Sequence, residues 1–156
     1  MHCARPHHGI RLKISPLVAA LALAGIATPT FALDHAWLIP TSGAWEADAN
    51  WSPFGAPGSS DTAIFTHGAA ILTSNTFINR IQTSGGTLTG DGTLSVTSSH
   101  AFAGFSMTGT GRTILQGTGT ISGTLNLDDD RVIENQNSTV WSGGTIYFNR
   151  HDGSAG

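Results

Sequence analysis

Between Thr87 and Val96 apolar and hydroxyl side chains alternate. Leu88, Leu94 and Val96 fall on one parity, and Thr87, Thr89, Thr93 and Ser95 on the other. A period of two, with apolar groups on one side and hydroxyls on the other, predicts strands with one buried face. Similar short β-prone runs, separated by Gly-containing turns, continue from Gly68 onward. Past residue 32 helix formers are scarce, with no Lys, two Glu and one Met, so the expected class is all-β.

The runs repeat in register. Ser84-Gly85-Gly86-Thr87-Leu88 aligns with Ala103-Gly104-Phe105-Ser106-Met107, Ser122-Gly123-Thr124-Leu125 and Ser142-Gly143-Gly144-Thr145-Ile146, placing Gly85, Gly104, Gly123 and Gly143 19, 19 and 20 residues apart. The pairs Gly90/Gly92 and Gly109/Gly111 keep the same step of 19. A fixed period near twenty residues predicts stacked coils of a parallel β-solenoid, since one coil alone cannot bury its inner face. Four to five coils at strand spacing would form a rod on the order of 20 Å long. An antiparallel β-sandwich is the competing architecture, with Asp91-Gly92 as one of its two-residue hairpin turns.

Residues 1–32 stand outside this pattern. Arg5, Arg11 and Lys13 occur without an acid, Leu17 to Ala27 is an unbroken run of small and apolar residues, and Thr30-Phe31-Ala32 places small residues before a cleavage point. This is the layout of a secretory signal peptide cut between Ala32 and Leu33, and the apolar run is too short to span a bilayer. His2, Cys3, His7 and His8 would leave with it and are given no function. The expected mature chain is therefore exported, with no integral membrane span.

Removing 32 of 156 residues leaves 124, with four Arg, no Lys and ten acids, a net charge of −6. An acidic chain without a cationic surface is not expected to bind nucleic acid. Gly, Thr and Ser fill 50 of the 124 positions while Leu, Ile, Val and Phe fill 26, which suits a narrow repetitive core better than a compact layered one. Residues 33–66 hold Trp37, Trp45 and Trp51 with Pro40, Pro53 and Pro57, whereas residues 67–156 hold no proline, as a continuously hydrogen-bonded sheet requires. The expected organisation is a Trp-rich cap over 33–66 followed by solenoid repeats over 67–156.

The segment Gly43-Ala44-Trp45-Glu46-Ala47-Asp48-Ala49-Asn50-Trp51-Ser52, with Pro57 and Asp61-Thr62-Ala63-Ile64-Phe65, resembles a Trp-containing segment that recurs in bacterial exported β-strand-repeat proteins, among them autotransporter passengers and adhesin-like exoproteins. The later Gly-Thr-Leu and Trp-Ser-Gly-Gly-Thr-Ile stretches are similar to their coils. The resemblance covers residues 43–148. It implies a right-handed β-helix that is secreted or displayed at the cell surface. It also sets an expectation for the C-terminal end, where Gly153-Ser154-Ala155-Gly156 carries neither a translocator nor a sorting signal: a truncated solenoid whose uncapped last coil self-associates.

Catalytic chemistry is sparse. No nucleophile elbow, zinc-protease motif or phosphate loop occurs, and His35, His67, His100 and His151 are far apart with unlike neighbours. Asp128 and Asp130, within Asp128-Asp129-Asp130-Arg131, are candidate oxygen ligands for Ca2+, weighed against an ordinary solvated turn. Arg112, Arg131 and Arg150 are spaced by 19 and could stack as a guanidinium stripe for glycan carboxylates, with the alternative that each pairs with a local acid. Trp141 and Tyr147 are either outward platforms for sugars or packing residues. The expected function is a non-catalytic structural or adhesive segment facing a glycan or host surface. The alternative is the N-terminal part of a polysaccharide-active β-helix lyase or glycosidase.

Overall fold

The structure, a computed structural model, describes residues 31–149. The basic and apolar parts of the expected leader lie outside the described residues, as do Arg150 and His151. The described residues start with β1 (Asp34–Trp37) and β2 (Ser42–Ala44), followed by a loop holding a 3-10 turn (Asp48–Asn50) and β3 (Trp51–Ser52). Next come β4 (Thr62–Phe65), β5 (Ala69–Ile71), the long β6 (Thr76–Thr83), β7 (Thr87–Thr89), the long β8 (Thr93–Phe102) and β9 (Phe105–Met107). The last two coils are β10 (Arg112–Leu115), β11 (Thr118–Ile121) and β12 (Leu125–Leu127), then β13 (Val132–Asn135), β14 (Thr139–Trp141) and β15 (Ile146–Phe148).

Successive coils pair in parallel along three faces, making a β-solenoid of about five turns. The first face stacks the starts of β6 and β8 with β10 and β13. The second stacks β1, β4, the ends of β6 and β8, β11 and β14. The third stacks β2, β5, β7, β9, β12 and β15. β6 and β8 turn from the first face to the second, with a register shift between Ile78 and Arg80. The sandwich alternative is excluded, because β7 pairs with β5 and β9 and not with β8 across Asp91-Gly92. Six strands on the third face give a stack about 24 Å high at the usual strand spacing.

The alternation in the sequence sets this arrangement. Leu88, Leu94 and Val96 are fully buried, and Thr87, Thr89 and Thr93 are half-buried on the outer side. Ser95 departs from the expected exposure: it lies in register between Phe77 and Ile114, larger members of its own outer column, which shade it. On the second face Ala36, Ile64, Gln82, Ala101, Thr120 and Val140 stack in one column, with steps of 28, 18, 19, 19 and 20 residues. The long first step is the Trp-containing loop, inserted between the first coil and the second. Residues 33–66, expected as a cap segment, contribute β1, β2 and β4 to the stack.

That loop packs at the N-terminal end of the described stack. β3 runs antiparallel along β1, pairing Ala36 with Ser52 and Trp37 with Trp51, and so occupies the edge a further coil would use. Trp37, Trp45 and Trp51 are buried, with Trp51 edge-on to both others at centroid distances of 5.0 and 4.8 Å, and all three pack on Phe65. The indoles also serve carbonyls that the fold leaves over: Trp37 Nε1 donates to Ile39 O at 2.8 Å and Trp51 Nε1 to Trp45 O at 2.7 Å. Glu46 ties the loop to the turn after β5. Its Oε1 accepts from Thr73 N, Ser74 N and Ser74 Oγ, and these bonds outweigh the opposing effect of burial to hold its pKa below the ordinary value.

Candidate functional site

The guanidinium stripe does not form between Arg112 and Arg131. The step from β10 to β13 is 20 residues, so Arg112 lies opposite Val132 and Arg131 arrives one position early. Because side chains alternate along a strand, one position turns Arg131 to the inside. Arg112 stays exposed and donates to Glu134 Oε2 at 2.7 Å. The pKa of Glu134 is held low by a hydrogen bond from Gln136 and by Arg112. Arg131 is buried and occupies the place where Gly111, one coil below, lacks a side chain. It donates to Gly90 O, Arg112 O and Thr113 Oγ1 at 3.3, 3.2 and 3.0 Å, tying together backbone two coils apart. Burial lowers its pKa to about 10, so the group remains charged at neutral pH. Arg150 lies outside the described residues.

The acidic turn is a corner of the solenoid. Asp129 takes a left-handed backbone conformation (φ 55°), and its Oδ2 accepts from Gly109 N at 3.0 Å, joining its coil to the one below. Asp128 Oδ1 is buried without a partner, while Asp130 faces solvent. Among the described residues no group of three or more His, Cys, Asp or Glu side chains converges as a metal site would.

Trp141 continues an inward column. Phe65, Thr83, Phe102, Ile121 and Trp141 are successive register partners on the second face. Trp141 is 59% exposed because it lies in the last described coil, where it and Phe148 border a cleft of about 220 Å3 floored by Leu115, Ile121 and Leu125. Its indole donates to Gly143 O at 2.7 Å. Among the described residues it borders the apolar cleft at the end of the stack, on the inward side of its strand. Tyr147 lies on the opposite parity, outside.

An internal polar tie went unread in the sequence. His100 is buried on the second face, one coil below Gly119 and two below Thr139. Gly119 has no side chain, and a Cβ there would meet the His100 ring. The imidazole passes through that space to Thr139 Oγ1 at 2.8 Å, and Thr139 in turn donates to Asn135 Oδ1 at 3.0 Å. Burial lowers the His100 pKa, which keeps the ring neutral near pH 7. The available signal was a glycine at a period-matched position between two polar residues. The other described histidines are separate: His35 contacts Pro53 O at 3.1 Å and lies 3.6 Å from Asp61, and His67 meets the Thr66 hydroxyl.

The third face carries an outward column along its later coils. Thr87, Ser106, Asn126 and Tyr147 form one outward column, and Asn126 Nδ2 donates to Ser106 Oγ at 3.0 Å. The Thr87 and Ser106 hydroxyls and the Tyr147 side chain sit at strand spacing along it, whereas Asn126 Oδ1 is buried without a partner. No helix among the described residues is long and apolar enough to cross a membrane. No protein-family model matches the chain, and no curated protein or solved structure is significantly similar to it.

Proposed function

We propose that the chain is a non-catalytic, exported β-solenoid segment that presents its third face to a glycan or host surface. The observation that carries this reading is the outward column Thr87, Ser106, Asn126 and Tyr147, repeated about every 4.8 Å on a rigid parallel sheet. Repetition matters because single hydroxyl contacts are weak, whereas a polymer meeting several at once gains from their number. The Trp-containing head and the leader-like N-terminus support export in the manner of the β-strand-repeat proteins that the sequence resembles.

A glycan array probed with the chain tests the reading. Binding should be retained by Arg112→Ala, whose side chain engages Glu134, and reduced tenfold or more by Asn126→Ala combined with Tyr147→Ala. Equal binding by the double variant would refute the assignment of the face. The lyase alternative makes a different prediction, the appearance of an unsaturated, ultraviolet-absorbing product when the chain is incubated with a uronic-acid polymer. Such turnover would overturn the non-catalytic reading.

A further inference from the structure

The residue that the leader pattern marks as the new N-terminus already has a partner in the fold. Leu33 N donates to Asp61 Oδ1 at 2.9 Å, and Leu33 O accepts from Thr62 N at 2.8 Å. The other oxygen of Asp61 accepts from Gly58 N at 2.9 Å, which fixes the carboxylate in the turn before β4. His35 Nε2 lies 3.6 Å from that same oxygen. Pro53 O, 3.1 Å from Nδ1, can only accept, so Nδ1 carries the hydrogen in the neutral ring and Nε2 faces Asp61 as an acceptor. The carboxylate therefore receives backbone N–H groups from Leu33 and Gly58, and among the described residues no arginine or lysine pairs with it. Phe31 is 79% exposed and Leu33 47%, so the bond between Ala32 and Leu33 lies in an exposed run at the edge of the first coil.

We propose that Asp61 is the seat for the α-ammonium group of Leu33, released when the leader is removed. Hydrolysis of the Ala32–Leu33 peptide bond adds one water: the acyl carbon becomes the Ala32 carboxylate, and the Leu33 nitrogen becomes an amine that takes up a proton. The nitrogen keeps its position while its bond to Asp61 changes from a neutral amide donor into a charge-assisted one. Processing thus adds an ion pair between the first residue of the mature chain and the turn that starts the second coil. The unprocessed chain holds the same geometry with a weaker contact, so the head closes most firmly only after cleavage.

This inference rests on the export reading, and the experiment separates the two. The chain is produced with its leader in an exporting bacterial host, and the intact mass of the exported protein shows whether it starts at Leu33. After Lys13 the sequence contains no lysine, so the α-amine is then the only aliphatic amine in the molecule. Its rate of acetylation against pH reports its pKa directly. In the native protein that pKa should lie about one unit above the value in the same protein denatured, with acetylation near neutral pH slowed roughly tenfold. In Asp61→Asn the native and denatured values should coincide.

A second measurement covers the case in which Asp61→Asn does not fold. Acetylating the wild-type amine removes its charge but leaves an N–H to donate. An amine whose pKa is raised in the folded state contributes stability that is present at low pH and is lost as pH rises through the native value. The free-amine protein should lose melting temperature between about pH 8 and pH 10 relative to the acetylated one. A native amine with the denatured-state pKa, or parallel melts of the free and acetylated proteins, would overturn the seat while leaving export intact. An exported product that starts elsewhere would overturn both.

Discussion

Gly119→Ala tests the internal packing most directly. The added methyl would meet the ring and carbonyl oxygen of His100, in a coil with one stacked above it and one below. Overpacking a core position costs about 1–3 kcal/mol. Expelling the imidazole also removes the hydrogen bond from His100 to Thr139, worth about 1 kcal/mol. The variant should therefore lose about 2–4 kcal/mol, a large share of the ~5–15 kcal/mol that holds a typical domain. Urea unfolding followed by fluorescence reads the loss well, because Trp37, Trp45 and Trp51 are all buried at the opposite end and report global unfolding. The cycle is completed with His100→Ala and the double variant. Removing the ring makes space for the methyl, so the double variant should be more stable than additivity predicts by at least about 1 kcal/mol. Additive losses would refute the statement that the imidazole fills the place of the Gly119 side chain.

Four further outcomes follow from the same contacts. Because burial lowers the His100 pKa, the unfolded chain binds the extra proton first; stability should be full above about pH 6.5 and fall below it, by at most about 1.4 kcal/mol per pH unit for this one group. His100→Ala should flatten that slope by one proton in a denaturation series between pH 4 and 8. Trp51→Phe keeps most of the ring packing but strips the donor from Trp45 O, and should cost about 1–3 kcal/mol by urea melt. Arg131→Met should cost a similar ~1–3 kcal/mol, since it removes the hydrogen bonds to Arg112 O and Thr113 Oγ1 and one of the two to Gly90 O, which keeps Gly111 N, and Arg131→Lys should not restore the loss because one ammonium cannot span three acceptors. The last described coil bares Val140, Trp141 and Phe148, so sedimentation should show concentration-dependent association of the chain that Phe148→Lys suppresses and Phe77→Lys, on the first face, does not.

The fold was legible because its signal is local and repeated. Gly85, Gly104, Gly123 and Gly143 mark the corner between the second and third faces, where the chain crosses close above backbone of the preceding coil, at Thr66, Ser84, Ala103 and Ser122. The alternation at Leu88, Leu94 and Val96 told inside from outside without any knowledge of partners. The candidate site was far less legible. A spacing of 19 suggested that Arg112 and Arg131 stack, but the coil between them contains 20 residues, and in a structure of period two that single residue decides between solvent and core. Trp141 followed a similar logic: the parity of β14 was not readable from a three-residue strand until its pairing with Ile121 was known.

By itself the sequence determined the class of the protein, its coil length and its outer chemistry, because strand alternation and glycine corners are properties of neighbours along the chain. Only the tertiary structure decided which residues meet between coils. His100 reaches Thr139 and Arg131 reaches Gly90 across intervals of 39 and 41 residues, through spaces left by Gly119 and Gly111. Such contacts depend on what the intervening coil omits, and an absent side chain acquires meaning only when the coils above and below it are stacked.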